Sequence, residues 1–170
     1  MILNNSKQKS NIIFEFNTYC AIESWYVVDD VVMGGKSFGQ FALNDEGNGL
    51  YQGNLNIENN GGFSSIRLNT DIIQTAPYES ILLHLKGDGT IFQFYIKRAI
   101  SERHSYVFNF ETSGQWETIT IPLHQMTPRF RGCNLDLPNF DQDSIQQLGV
   151  LKVSKKNTSF QLEIKRISLK

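Results

Sequence analysis

At 170 residues the chain is sized for one domain that buries about two-thirds of its unfolded surface. A formal net charge of −1 argues against a general nucleic-acid or anionic-membrane surface, which needs clustered Lys and Arg. No run approaches the roughly eighteen apolar residues of a membrane span, and 12 Phe with 6 Tyr mark a globular composition.

Residues 1–11 are polar, with neither a signal-peptide core nor the Arg content of a mitochondrial presequence. The expectation is a flexible N-terminus over 1–11, one domain over 12–170, and a cytoplasmic rather than mitochondrial-matrix location. Cys20 and Cys133 lack metal-ligand spacing and a C-x-x-C pairing, so both are read as free thiols.

Period-two alternation runs the length of the chain. Phe14 and Phe16 open a strand, and a short helical turn fits Ala21 to Trp25. Next comes W-Y-V-V-D-D-V-V-M-G-G-K-S, Trp25 to Ser37, with two carboxylates inside an apolar, strand-prone run. Strands then fall on Ser37 to Leu43, Tyr51 to Ile57 and Phe63 to Leu68. Ile81, Leu83 and Leu85 share a face, as do Phe92, Phe94 and Ile96 after Gly87-Asp88-Gly89, and these two runs read as a hairpin. Tyr106, Phe108 and Phe110 repeat the pattern, and Trp116 to Ile121 gives a further strand that Pro122 stops.

Short helical turns fit Leu123 to Met126 and a start at Asp141 or Asp143. At the end of the chain Phe160, Leu162 and Ile164 are even-numbered, whereas Ile167 and Leu169 are odd. A one-residue bulge near Lys165-Arg166 is needed to keep all five on the core face. About nine to eleven strands predict an all-β, antiparallel two-sheet sandwich with one or two short helical turns. Its expected core includes Phe14, Leu83, Leu85, Phe94, Phe108, Trp116, Ile121, Leu162 and Ile164.

Chemical motifs are sparse. Gly34-Gly35-Lys36-Ser37 resembles the end of a phosphate-binding loop, but Asp30 stands where the first Gly belongs, and strand rather than helix follows. Asp29 and Asp30 fit a strand end whose carboxylate accepts amide hydrogens from the Met33-Gly34-Gly35 turn. A structural Ca²⁺ at this loop end is the minority reading, since EF-hand spacing is absent; no other cofactor is expected.

Asn59-Asn60-Gly61-Gly62 is a turn that opens a strand with Phe63, Ser65 and Arg67 off the core face. Those three side chains either stack on a ligand or partner, or lie under the chain's own loops. Arg129-Phe130-Arg131-Gly132 reads as a surface loop. His84, His104 and His124 sit in no metal or nucleophile pattern, so no catalytic residue is assigned.

Taken in order, these segments resemble the complex I intermediate-associated protein family, which carries a Trp, an Asp pair and a Met-Gly-Gly-x-Ser block, then Asn-Gly-Gly-Phe-x-Ser-x-Arg. The resemblance continues through Gly87-Asp88-Gly89, Trp116 with Ile121-Pro122-Leu123, Arg131-Gly132, Ile145 with Leu148-Gly149, and Phe160 to Ile164. Thr90-Ile91 departs from the polar residue and Tyr usual in relatives.

The resemblance implies a galactose-binding-like jelly roll and a non-catalytic assembly chaperone for NADH:ubiquinone oxidoreductase. Its partners would be respiratory-complex subunits or assembly intermediates. A small-ligand or carbohydrate-binding module is the alternative. The expected patch comprises Asp29, Asp30, Met33, Gly34, Gly35, Ser37, Asn60, Gly61, Gly62, Phe63, Ser65, Arg67 and Arg131. Asp29 or Asp30 is expected to pair with Arg67, bringing the two loops together.

Overall fold

The computed structural model describes residues 11–170, and the expected flexible N-terminus lies, for residues 1–10, outside them. In chain order the first strands are β1 (Ile12–Glu15), β2 (Trp25–Asp29), β3 (Phe38–Leu43), β4 (Gly49–Leu55), β5 (Phe63–Gln74), β6 (Ser80–Lys86) and β7 (Ile91–Lys97). They are followed by β8 (Ser105–Glu111), β9 (Trp116–Pro122), β10 (Thr127–Phe130), β11 (Cys133–Asn134), β12 (Ser144–Val153) and β13 (Thr158–Leu169). All pairings are antiparallel, and the only helical elements described are single 3-10 turns.

One sheet has the order β3-β4-β13-β6-β9, with β1 also on β13; the other runs β11-β10-β8-β7-β12-β5-β2. The protein is therefore the all-β two-sheet sandwich that the alternation predicts. Its core lies between the sheets, where Tyr51, Leu83, Leu85 and Leu162 from one meet Ile66, Phe94, Ile96 and Leu148 from the other.

The C-terminal strand organises its sheet. β13 pairs with β4 over Thr158–Ile164 and with β6 from Glu163 to Leu169, while β1 lies along its last turns. Its register on β6 shifts between Ile164 and Arg166, and Phe160, Leu162, Ile164, Ile167 and Leu169 are all buried. The bulge inferred from the parity change is where the sequence puts it.

Two expectations are corrected. The runs on either side of Gly87-Asp88-Gly89 are not a hairpin: β6 belongs to one sheet and β7 to the other. Their apolar faces oppose one another across the core, which buries them as well as side-by-side pairing would. Thr112 anchors the crossing: its hydroxyl donates to Thr90 O at 2.8 Å and accepts Gly89 N–H at 3.1 Å.

Trp116 is not core either. Ile119 and Ile121 are the inward residues of β9, so the even-numbered Trp116 lands outside, 38% exposed, its ring 5.4 Å from that of His84. The buried tryptophan is Trp25, only 6% exposed, with ring centroids of Phe14, Phe16 and Phe41 within 5.6 Å. Phe14 and Phe108 are partly buried at the core margin.

Helical turns occur at Ile22–Ser24 and Leu123–Gln125, but residues 141–143 are irregular chain. There Thr75 N–H donates to Asp143 O and Thr75 Oγ1 to Gln142 O, which pins the segment in place of a helical turn. Both cysteines are free thiols.

Burial sets the expected mutational contrast. Trp25→Ala removes the centre of the aromatic cluster and should cost about 3–5 kcal/mol in urea unfolding. Trp116→Ala should cost under about 1 kcal/mol. Equal losses would contradict this assignment of the two rings.

Candidate functional site

β2 ends at Asp29, and the chain turns at once through a 3-10 turn, Asp30–Met33, capped by Gly34 in the left-handed region with φ 86°. Gly34 N–H donates to Val31 O and Gly35 N–H to Asp30 O, both at 2.9 Å. The tight turn aims the Asp30 side chain back into the protein, where it has no solvent exposure.

There the carboxylate accepts Ser37 N–H at 2.9 Å, Gly62 N–H at 2.7 Å, Phe63 N–H at 3.3 Å and the Ser37 hydroxyl. One side chain thus ties together loops 32 residues apart in sequence. Ser37 Oγ in turn accepts Asn56 N–H at 2.9 Å, and Asn59 Nδ2 donates to Gly34 O at 3.0 Å. Lys36 and Glu58 form an ion pair on the exposed rim. From the far side, Ser154 N–H donates to Gly62 O at 2.9 Å.

The glycines of the motif have steric reasons. A Cβ on Gly35 would stand 2.3 Å from Asp30 Oδ1, inside the carboxylate. One on Gly62, whose φ is +108°, would meet Ser154 O at 2.5 Å. Any side chain at either position pushes the loops apart. Asn60 sits beside Gly61 in the left-handed conformation, φ 59°, as the turn reading requires.

Burial alone would raise the Asp30 carboxyl pKa. The Ser37 hydroxyl and the Gly62, Ser37 and Phe63 amides outweigh it and hold the group below its ordinary value of 3.8. Asp29 does a smaller version of the same work: Oδ2 accepts Gly39 N–H at 3.0 Å, while its buried Oδ1 has no partner. Among the described residues no three His, Cys, Asp or Glu side chains gather at one point.

The structure brings together Asp29, Asp30, Gly34, Gly35, Ser37, Asn60, Gly61, Gly62 and Phe63, and places Met33 on the exposed tip with Val31 and Val32. It does not pair either aspartate with Arg67. Arg67 lies four residues along β5 on the outer sheet face, its Nε donating to Ser65 Oγ at 3.1 Å; Ser65 Oγ itself donates to Val28 O. The amides closed the aspartate first. Arg131 is also remote: it follows β10, with β8, β7 and β12 between that strand and β5, and its guanidinium lies 5.3 Å from the Phe130 ring centre.

Sequence reading missed a polar network on that same outer face. Tyr95 OH donates to Gln147 Oε1 at 3.0 Å, and Gln147 Nε2 donates to Asn69 Oδ1 at 2.7 Å and to Tyr26 OH at 3.3 Å. Burial pushes the Tyr95 hydroxyl pKa up. The outward parity of Tyr95 and Lys97 was readable, but the strand order that gathers them with Tyr26, Asn69 and Gln147 was not.

Two antiparallel sheets packed face to face, with short turns for helices, give a galactose-binding-like β-sandwich fold. The chain belongs to the family of complex I intermediate-associated protein 30, whose model matches residues 14–164. Among solved structures it is similar to the family 11 carbohydrate-binding module of the Clostridium thermocellum cellulase Lic26A-Cel5E, at 15% identity, 92% of each chain covered and a TM-score of 0.68. The same organism's family 11 module in complex with a β-1,3-1,4-mixed-linked tetrasaccharide matches at 16% identity, 91% and 93% covered, with a TM-score of 0.67. An agarase, AgWH50C, matches at 10% identity and a TM-score of 0.55, over 92% of this chain and 24% of the enzyme. No match to a curated protein was found.

Asp30→Ala strands buried donors and should cost about 3 kcal/mol or more in chemical denaturation. The pH dependence has a fixed sign. Because the folded pKa lies below 3.8, this stabilisation is complete above the unfolded value and is lost as pH falls through the folded one. Unfolding free energy should therefore drop more steeply on acidification in the native protein than in Asp30→Asn. Parallel slopes would remove Asp30 from the account.

Proposed function

We propose that the chain is a non-catalytic binding module that assists assembly of a membrane-associated redox complex, NADH:ubiquinone oxidoreductase, from the cytoplasmic side. Family membership supports that reading. The observation that carries it is the tip above the buried carboxylate. Val31, Val32 and Met33 stand out into solvent, Val32 at 74% exposure, on a turn whose base is hydrogen-bonded through Asp30.

Consecutive apolar side chains exposed to water favour burial against a protein partner. Exposed Ile57 and Phe38 flank the same pair of loops. Among the described residues no helix is long and apolar enough to cross a membrane.

The reading contains no catalytic step. The Asp30 carboxylate is occupied by four donors, His84 packs on Trp116, and His104 packs on Tyr106. A structural Ca²⁺ would have to be held at the Asp29 side of the loop, where Oδ1 is without a partner.

A second reading, a small-ligand or carbohydrate-binding module, is favoured by a groove on the outer face of the six-stranded sheet. Gln40, Gln52 and Gln161 stand in register across β3, β4 and β13, beside exposed Phe38, along a cavity of about 390 Å³. Their amides offer donors and acceptors to a hydroxylated chain, as would befit a relative in fold of carbohydrate-binding modules.

Affinity purification from the native organism, comparing the native chain with Val32→Asp and Met33→Asp, separates the readings. Assembly predicts that respiratory-complex subunits copurify with the native chain and are lost from both variants, whose melting temperatures stay within about 3 °C of native. Binding of neutral oligosaccharides abolished by Gln52→Ala, with no subunit recovered, would decide for the module reading. A screen of hydrolase and glycosidase substrates should show no turnover. Turnover abolished by one point mutation would overturn the non-catalytic assignment.

A further inference from the structure

The arginine that closes the family motif is not used by the loop brace, and its surroundings are unusual. Across the outer face of the seven-stranded sheet, β5, β12 and β7 place Arg67, Gly149 and Tyr95 in one row. The adjacent row holds Asn69, Gln147 and Lys97. Beyond Lys97, the pairing of β7 with β8 brings Ser105 into line, and Ser105 lies opposite Arg129 on β10. Three cations thus share one face of a chain whose net charge is −1.

Among the described residues none of the three forms an ion pair. The described ion pairs are Lys36 with Glu58, Arg98 with Glu102 and Arg166 with Glu15. Glu102, the acid whose charge reaches Lys97, pairs through Oε1 with Arg98 at 2.6 Å, and its buried Oε2 has no hydrogen-bond partner. Arg67 spends one donor, Nε, on Ser65, which leaves the other four guanidinium hydrogens free among the described residues. Arg129 Nε is buried without a partner.

Arg67 and Lys97 are half-buried, and Lys97 is depressed in pKa first by burial and then by the Arg67 charge. Two neighbouring cations withdrawn from water, their repulsion offset only in part by the Glu102 charge, are a costly arrangement that an incoming anion relieves.

Beside them is a preorganised set of neutral groups. Gln147 is buried and saturated, its oxygen on Tyr95 and its nitrogen on Asn69 and Tyr26, so it fixes the two exposed side chains without itself reaching solvent. Asn69 and Tyr26 are exposed beside Arg67, Asn69 two residues along β5 and Tyr26 directly opposite on β2. The floor is flat because Gly149 has no side chain and the Tyr95 ring lies over it: a Cβ there would stand 2.4 Å from Tyr95 Cε1.

We propose that this face binds a small anionic polyol, a sugar acid or sugar phosphate, with Arg67 and Lys97 holding the anion and Asn69 and Tyr26 meeting the hydroxyls. Arg129 extends the positive stripe, and Gln147 is a positioning residue. Arg67 directly opposes Tyr26 across β2 and β5 and lies two residues from Asn69 along β5, while Lys97 stands two strands away across β12, so the four side chains frame an area roughly 10 Å across, the scale of one or two sugar rings. Half-buried cations suit an anion that enters the face better than a broad macromolecular surface, which favours extended ones. The site is independent of the assembly reading and of the apolar tip.

The test is calorimetric titration of the full chain with glucose, glucuronate, glucose 6-phosphate, inorganic phosphate and a tetraglutamate peptide, at two salt concentrations. Glucuronate or glucose 6-phosphate should bind at least about tenfold tighter than glucose or phosphate, and more weakly in high salt. Arg67→Gln and Lys97→Met should each weaken that binding at least about tenfold with the fold intact.

Equal binding of glucose removes the anion from the proposal. Equal binding of phosphate alone leaves an adventitious ion only, and binding of the peptide alone points to a macromolecular partner. Each of these outcomes overturns the site, as does binding of nothing. Should Arg67→Gln fail to fold, Lys97→Met and Asn69→Ala decide, and native affinity in both sinks the proposal.

Discussion

The end of the sandwich that carries the family motif depends on a charge kept out of water. Desolvating a carboxylate is expensive, and it is tolerated here only because amides and a hydroxyl from two separate loops converge on Asp30. That condition reaches well beyond one residue. It requires the 3-10 turn that reverses the side chain, a glycine at 35 to leave room for it, and a glycine at 62 to deliver its amide. It also requires Ser37 to serve both Asp30 and Asn56. The motif is thus one electrostatic unit distributed over two segments, and removing any part exposes the cost of the rest.

This arrangement divides labour between the end of the domain and its faces. The loop unit fixes backbone and presents apolar tips, while the flat outer face of the larger sheet collects side chains from β2, β5, β7 and β12. A sandwich permits this because strand register, set by the core, places outward residues as rigidly as inward ones. Gln147 shows the effect. It is polar, lies on the outer face and is nevertheless buried, because its neighbours across β5 and β7 hydrogen-bond over it.

Much of this was legible in the chain, in proportion to how local the determining physics is. Alternation located the strands, and the parity break at Lys165-Arg166 located the bulge, since both follow from side chains on one strand sharing one core. The proximity of the two glycine-bearing loops was also anticipated, though with the wrong partner: amides of the loops themselves, not Arg67, satisfy the charged aspartate. A turn signal such as Gly87-Asp88-Gly89 says that the chain reverses. It carries no information about which sheet receives the next strand, and so the hairpin was misassigned. Trp116 failed for a related reason, because hydrophobicity suggested inward when the parity of Ile119 and Ile121 already said outward. The Tyr95–Gln147–Asn69 network needs three strands in a particular order, knowledge that exists only after folding.

The place of β13 has a consequence for how the protein is made. β13, which follows every other strand of the sandwich, is the strand on which β1, β4 and β6 all pair. A growing chain that has emerged through residue 157 has β4 without its inner neighbour and β6 with only β9, so the sheet has a gap in its middle. Folding of that half therefore waits for residues 158–169 to emerge, and the interval leaves apolar strand edges open to wrong partners. The many pairings between distant segments also make the final collapse slow relative to a helical protein of this size. Emergence of β13, rather than early nucleation at β1, sets the earliest moment at which this sandwich can close.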